Sequence, residues 1–214
     1  MKTDALIAML ARGNAGVAPH AVERRLGATV AVGLALTLLA VLATLRPRAD
    51  IAAAAQLPMF WWKLAVPLVL VVLSFAAARR LACPGQRAGP AAAIGAALLA
   101  LLWAVAGADV ASSPAASRPG LVLGHTALPC VVLIALLALP VLAALFVALR
   151  SLAPTRLPAA GAAAGALAGG IAAAAYAVHC NEMALPFVAV WYVLGMAIPA
   201  GLGALLAPRW LRWS

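Results

Sequence analysis

The sequence is poor in charge, and poorest in acid. Only five of its 214 residues are Asp or Glu, and charged residues of both signs make up 9%, against about 25% in an ordinary soluble domain. So few ionised groups cannot solvate the surface of a water-soluble fold of this length, which excludes a soluble globular domain. Catalytic signatures are missing as well. There is no paired-carboxylate arrangement within an apolar run, no GxSxG and no Gly-rich phosphate loop, so the common hydrolytic and phosphoryl-transfer chemistries have no foothold. No CxxC occurs among the three cysteines, which argues against a quinone-linked thiol oxidase. No HxxxH or comparable local ligand spacing is present, and no ionisable residue stands near the middle of an apolar run, where a proton-coupled or substrate transporter usually keeps one.

What the chain has in abundance is apolar residues, 67% of the total. Lipid is therefore the solvent for most of it. The net charge of +10 does not mark a nucleic-acid binder, because the bases sit singly or in pairs at the ends of apolar runs rather than in a patch. Leu26 to Leu45 lies between Arg25 and Arg46, and Ala88 to Ala108 between Arg87 and Asp109. Leu157 to Asn181 and Met183 to Pro208 are likewise free of charge, and Ala127 to Leu149 is the best helix within a longer run. Each reaches the roughly 17–25 residues that a spanning helix needs. Leu64 to Ala78 is short by itself, and spans if Lys63 and Arg79 snorkel while Trp61 and Trp62 lie in the interface. The expected fold is an all-α integral membrane bundle of six transmembrane helices, at about 26–45, 62–80, 88–108, 127–149, 157–179 and 186–207. A polar segment at 1–25 precedes this domain of 26–208, and a tail at 209–214 follows it.

Orientation follows from the bases. Lys2, Arg12, Arg24, Arg25, Arg79, Arg80, Arg87, Arg150, Arg156, Arg209 and Arg212 flank one side, eleven in all. Arg46, Arg48, Lys63 and Arg118 flank the other, four in all. The positive-inside rule places the richer side, with both termini, in the cytoplasm of a multi-pass bacterial inner-membrane protein. Arg24-Arg25 ahead of an apolar run also resembles a twin-arginine export signal, but five further spans follow it, and cleavage would serve no export purpose.

In the leader, Thr3 or Asp4 can cap a short helix carrying Leu6, Ile7, Met9 and Leu10, closed by Gly13-Asn14. Nine or ten residues make no stable isolated helix in water. The segment is then either a leader on the membrane surface or a helix that orders in the groove of a cytoplasmic partner. In the fifth span Gly161, Gly165 and Gly169 recur every fourth residue, a spacing that lets two helix backbones approach closely in lipid. Pro67, Pro140 and Pro199 fall inside spans 2, 4 and 6.

Two cysteines lie at the face opposite the cytoplasm. The connection between spans 4 and 5 centres near Pro154; Cys130 precedes it by 24 residues and Cys180 follows it by 26. At about 1.5 Å per residue the two sulfurs differ in depth by about 3 Å, so adjacent antiparallel helices can bring them within disulfide range. An oxidising periplasm would let the bond persist. The alternative is that both are small packing residues. His125, His179 and Glu182 lie close to the pair in sequence, and together the five residues offer donors for a soft metal ion. Satisfied interfacial histidines are the competing reading. Cys83 falls in a cytoplasmic loop with no partner on its own side.

These absences favour a sensor or regulator, with a small-solute transporter or a membrane thiol-redox protein as the alternative. The opening MKTDALIAML, Trp62-Lys63, Pro129-Cys130, and His179-Cys180-Asn181-Glu182 followed by Phe187 and Trp191-Tyr192-Val193-Leu194-Gly195 resemble the NrsF-type membrane anti-sigma factors. The resemblance covers essentially the whole chain. It implies a six-span protein, not an enzyme, that sequesters an extracytoplasmic-function sigma factor through its short N-terminus, here Met1 to about Gly13. It also implies that Cys130 and Cys180 sense oxidative or heavy-metal stress and that the sigma factor is released in response. The residues themselves point to no direct nucleic-acid binding and to no resident cofactor, a soft metal ion at Cys130 and Cys180 being the one candidate.

Overall fold

The fifth apolar run contains little but Ala and Gly, and that smallness places it at the centre of the molecule. A helix without bulk lets its neighbours approach on every side, and in lipid such approach replaces the hydrophobic effect as the source of association. The structure, a computed structural model, describes Thr3, Ile7, Met9 and residues 20–212. These residues form helices, with no strand among them. Six helices are long and apolar enough to cross a membrane: α1 (Ala21–Leu45), α2 (Pro58–Leu81), α3 (Pro90–Ser112), α4 (Ala127–Arg150), α5 (Leu157–Tyr176) and α6 (Leu185–Trp210). A turn of helix at Ile51–Ala54 links α1 to α2, and another at Arg118–Leu123 leads into α4. The protein is an all-helical membrane protein, as its composition requires.

α5 is buried along most of its length and packs against α6 most extensively, then against α2 and α4. α1 lies mainly on α4, and α3 is the outermost helix, against α2 and the start of α6. A Cβ placed on Gly161 would overlap the Gly203 carbonyl of α6, and one on Gly165 would overlap the Pro199 carbonyl. Gly169 meets the Met196 backbone on the same face, whereas its neighbour Gly170 faces Pro67 and Val71 of α2. The spacing of Gly161, Gly165 and Gly169 is thus the contact line between α5 and α6. The exposed Leu, Val and Ile side chains of α1, α3 and the outer faces of α4 and α6 have lipid as their solvent.

Most of the arginines gather at one end. There Glu23 at the start of α1 pairs with Arg79 at the end of α2, 3.2 Å apart, and the Gly85 N–H donates to Thr155 Oγ1 across two loops. Cys83 lies at this end, its thiol directed to the Arg79 carbonyl. Among the leader residues assigned to partner binding, Ile7 and Met9 are helical and exposed, while Leu6 and Leu10 lie outside the described residues.

Two α-helical ladders slip by one residue near the opposite end, at Val41–Leu45 of α1 and Val188–Tyr192 of α6. Such π-type turns are frequent at functional sites. In α6 the slip frees backbone carbonyls, and Ala189 O accepts the Trp103 indole N–H at 2.7 Å. Pro67 and Pro140 lie within helices that continue through them.

Replacing Gly165 with Leu should separate α5 from α6, destabilise the fold by more than the roughly 1–3 kcal/mol of ordinary overpacking, and so lower the midpoint of thermal unfolding in detergent. Gly107→Ala, where nothing lies within 4 Å of the new Cβ, should leave the midpoint unchanged or slightly raised, since Ala is the better helix former.

Candidate functional site: a buried lysine and two cysteines

Pro58 opens α2, because a missing N–H costs nothing in the first turn of a helix. That start places Lys63 more than a turn inside the helix, on the face toward α5 and α6. Its side chain is 0% exposed. The reading of Lys63 as a flanking residue that snorkels to headgroups is therefore corrected. Trp61 and Trp62 do face outward, but Lys63 turns into the bundle. A chain with no visible ionisable group inside its spans proves to have one.

An ammonium taken out of water costs several kcal/mol unless it is paired and hydrogen-bonded. Lys63 Nζ donates to the carbonyls of Cys180 and Glu182, at 2.7 and 2.8 Å, and stands 5.3 Å from the Tyr192 ring centroid. Charge-assisted hydrogen bonds are worth about 1.5–3 kcal/mol each, and a desolvated cation–π contact about 2. These contacts offset much of the cost. They also pin the loop between α5 and α6 to α2. No carboxylate pairs with Lys63 among the described residues.

The two cysteines meet beside it. Cys130, in the first turn of α4, is 0% exposed, and Cys180, in the loop after α5, is 3% exposed. Both thiols are free and face each other closely enough to interact directly. The Cys180 thiol is pulled below the ordinary cysteine range. The largest cause is its hydrogen bond with Cys130; the Lys63 ammonium, the Tyr192 hydroxyl and the Glu182 N–H act in the same direction against burial. Tyr192 is fully buried, and its hydroxyl has no oxygen or nitrogen partner among the described residues. The π-type turn that ends at Tyr192 brings its ring to Lys63, 5.3 Å from Nζ.

The same loop is held from outside. Arg48 makes a two-pronged contact with Asp50, at 2.6 and 2.7 Å. Its N–H donates to the Val178 carbonyl at 3.2 Å, and its Nη1 reaches toward the Cys180 carbonyl at 3.5 Å. The hydrogen bond between them raises the Arg48 pKa and holds the Asp50 carboxyl below its usual range. Arg46 takes a φ of 63°, a region that disfavours residues with a Cβ. The His179 ring, 2.8 Å from the Arg46 carbonyl, fastens this bend to the loop.

His125, His179 and Glu182 therefore tie the structure together at this end. Glu182 Oε1 accepts the His125 backbone N–H at 2.6 Å and the Thr126 hydroxyl at 3.4 Å, which anchors the first turn of α4. The His179 ring packs on Tyr176, with centroids 5.6 Å apart. Among the described residues no three His, Cys, Asp or Glu side chains converge as a metal-binding set. The cationic neighbour of the two thiols also opposes a second cation. The residues do not fit a resident soft metal ion.

Sequence reasoning missed Lys63, Tyr192 and Arg48. A signal for Lys63 was present in Pro58, since a helix that begins there carries Lys63 about 7.5 Å inward. Tyr192 stood in the Trp191 to Gly195 motif, but neither it nor Arg48 showed a local sign of its role, because a slipped helix ladder and a loop-to-loop contact have no sequence period. Mild oxidation of the native protein with diamide should join Cys130 to Cys180, read as a cross-linked peptide by mass spectrometry. Cys83 should remain a free thiol; dimers linked through Cys83, with no Cys130–Cys180 bond, would contradict the geometry.

The family model described as NrsF, negative regulator of sigma F, matches residues 10–213. A probable anti-sigma-F factor NrsF of Azospira oryzae is 41% identical over 214 residues, covering 100% of both chains. An anti-sigma-F factor NrsF of Caulobacter vibrioides is 38% identical over 217 residues, again covering 100% of both. No solved structure matches the chain. A match over nearly the whole length, joined by two full-length relatives, makes the kinship plain: this six-helix membrane protein belongs to the NrsF family of negative regulators of sigma F, a family of regulators rather than enzymes.

Proposed function

We propose that the chain is an anti-sigma factor of the bacterial inner membrane. In this reading it holds an extracytoplasmic-function sigma factor inactive and releases it when oxidative or heavy-metal stress alters Cys130 and Cys180. The observation that carries the reading is the meeting of two buried thiols from different parts of the chain, one in α4 and one after α5. A change at either sulfur acts at once on the packing of both helices.

Support for the orientation comes from the bases. With Lys63 withdrawn into the bundle, the flanking residues divide eleven to three, and the richer end faces the cytoplasm. The cysteine pair then lies at the periplasmic face, where a disulfide persists. The sigma factor meets the N-terminal segment, whose apolar residues Leu6, Ile7, Met9 and Leu10 form the contact stripe. Burying one such side chain is worth about 1.5–3 kcal/mol, so a few of them suffice for a regulated, reversible hold.

Reversing a 99:1 preference between holding and releasing requires about 5.5 kcal/mol of differential stability. A disulfide supplies about 2–4 kcal/mol, and altered packing at the loop between α5 and α6 adds to it. The two-state element is the bundle end that contains α4, the loop and α2.

Pull-down of the sigma factor on variants in native membranes tests both halves of the proposal. Replacing Leu6 and Leu10 with Asp should release the sigma factor while the protein stays in the membrane. Cys130→Ser, Cys180→Ser and the double variant should each retain the sigma factor and should all lose stress-induced release to the same extent, because a shared bond makes the effects non-additive. Stress-induced release that persists in the double variant would show the cysteines to be packing residues.

A further inference from the structure

Lys63 has the features of a working charge rather than a structural remnant. It is completely buried, it donates to two successive segments of one loop, it faces the ring of a buried tyrosine, and no carboxylate pairs with it among the described residues. The group of opposite potential charge beside it is a thiol. We propose that Lys63 is the positioning residue of the cysteine pair: its ammonium is the counter-ion of a Cys180 thiolate, and the loss of that thiolate is what loosens the loop from α2. The proposal deepens the sensing reading above and rests on it for its biological consequence.

The charged and titratable groups around the pair are assignable element by element. α2 contributes Lys63, α4 Cys130, α5 Tyr176 and α6 Tyr192; the loop contributes Cys180, His179 and Glu182. The Glu182 carboxylate is engaged with the start of α4, and the His179 ring with Arg46. The Arg48 guanidinium is already neutralised by Asp50. Lys63 is thus left with Cys180 as its charge partner. Cys130, Cys180 and Tyr192 are all buried, and Lys63 Nζ lies 2.7 Å from the carbonyl of Cys180 itself, so the ammonium and the thiol share one closed site.

Oxidation removes that anion. With a hydroperoxide as oxidant, the Cys180 thiolate attacks the O–O bond. An S–O bond forms, the O–O bond breaks, and the departing oxygen takes a proton from solvent. The Cys130 thiol then attacks the Cys180 sulfur; the S–S bond forms, the S–O bond breaks, and hydroxide leaves with the Cys130 proton as water. Two electrons pass from sulfur to peroxide. The ammonium of Lys63, itself fully buried, now stands beside a neutral disulfide, with two carbonyls and no counter-charge. An uncompensated buried charge is strongly destabilising, so the loop and α2 move apart until water reaches Lys63.

The experiment is the pH dependence of iodoacetamide alkylation on the full chain in nanodiscs, resolved by mass spectrometry for each cysteine, with Cys83 as internal reference. Cys180 should alkylate with an inflection at least one pH unit below that of Cys83. Lys63→Met should move that inflection upward by at least one unit, which is a tenfold loss of rate at neutral pH, and Lys63→Arg should restore it. An inflection for Cys180 at or above that of Cys83, or no alkylation of Cys180 up to pH 9.5, overturns the proposal without recourse to any variant. So does an inflection unmoved in Lys63→Met. None of these readings involves a sigma factor. Failure here with Cys→Ser variants that still lose stress-induced release would sink the lysine pairing alone, and normal release in those variants would sink the sensing reading.

Discussion

One buried ammonium sets the arrangement at the cysteine end of this protein. Lys63 cannot be placed in an apolar bundle unless polar partners come to it, and the partners that come are the Cys180 and Glu182 carbonyls of the loop between α5 and α6. Holding that loop against α2 brings Cys180 to Cys130, sets Glu182 under the first turn of α4, and leaves Arg48 and His179 to fasten the loop from the side of α1. Removing the charge would leave each of these contacts possible, but none of them would be required.

The opposite constraint governs the middle of the bundle. There α5 meets its neighbours through small and apolar residues, and close packing holds the helices. α5 gives up side chains so that α6 can approach through Gly161, Gly165 and Gly169, and α2 through Gly170. A core so tightly packed transmits displacement rather than absorbing it. A shift at the loop therefore travels along α5 and its partners toward the arginine end, where the Glu23–Arg79 pair links α1 to α2 next to the N-terminal segment. The cysteine end and the arginine end are thus joined by closely packed helices.

Much of this was legible in the residues. Charge-free runs of spanning length gave the six helices, because in lipid the backbone has no other means of satisfying its polar groups. The Gly161 to Gly169 spacing marked a close helix contact, and counting residues from Pro154 placed Cys130 and Cys180 at one depth. Lys63 was misread because its sequence position, after two tryptophans and before an apolar run, is also that of an interfacial anchor. Only the helix start at Pro58 distinguishes the two. Tyr192 depends on a π-type slip within α6, and Arg48 on a meeting of two loops, and neither is written in any local pattern. His125, His179 and Glu182 suggested metal ligands by type alone, whereas in the fold they serve as ties between loops.

The central claim is that the charge state of the cysteine pair decides whether the loop stays on α2. Hydrogen–deuterium exchange of the reduced and the disulfide-oxidised protein in nanodiscs measures this directly. The account predicts that oxidation speeds exchange at 178–185 and in the first turns of α2, around Met59 to Lys63, while the α5–α6 contact near Gly161 and Gly165 stays protected. Unchanged protection in the loop and at the start of α2 after complete Cys130–Cys180 oxidation would contradict it.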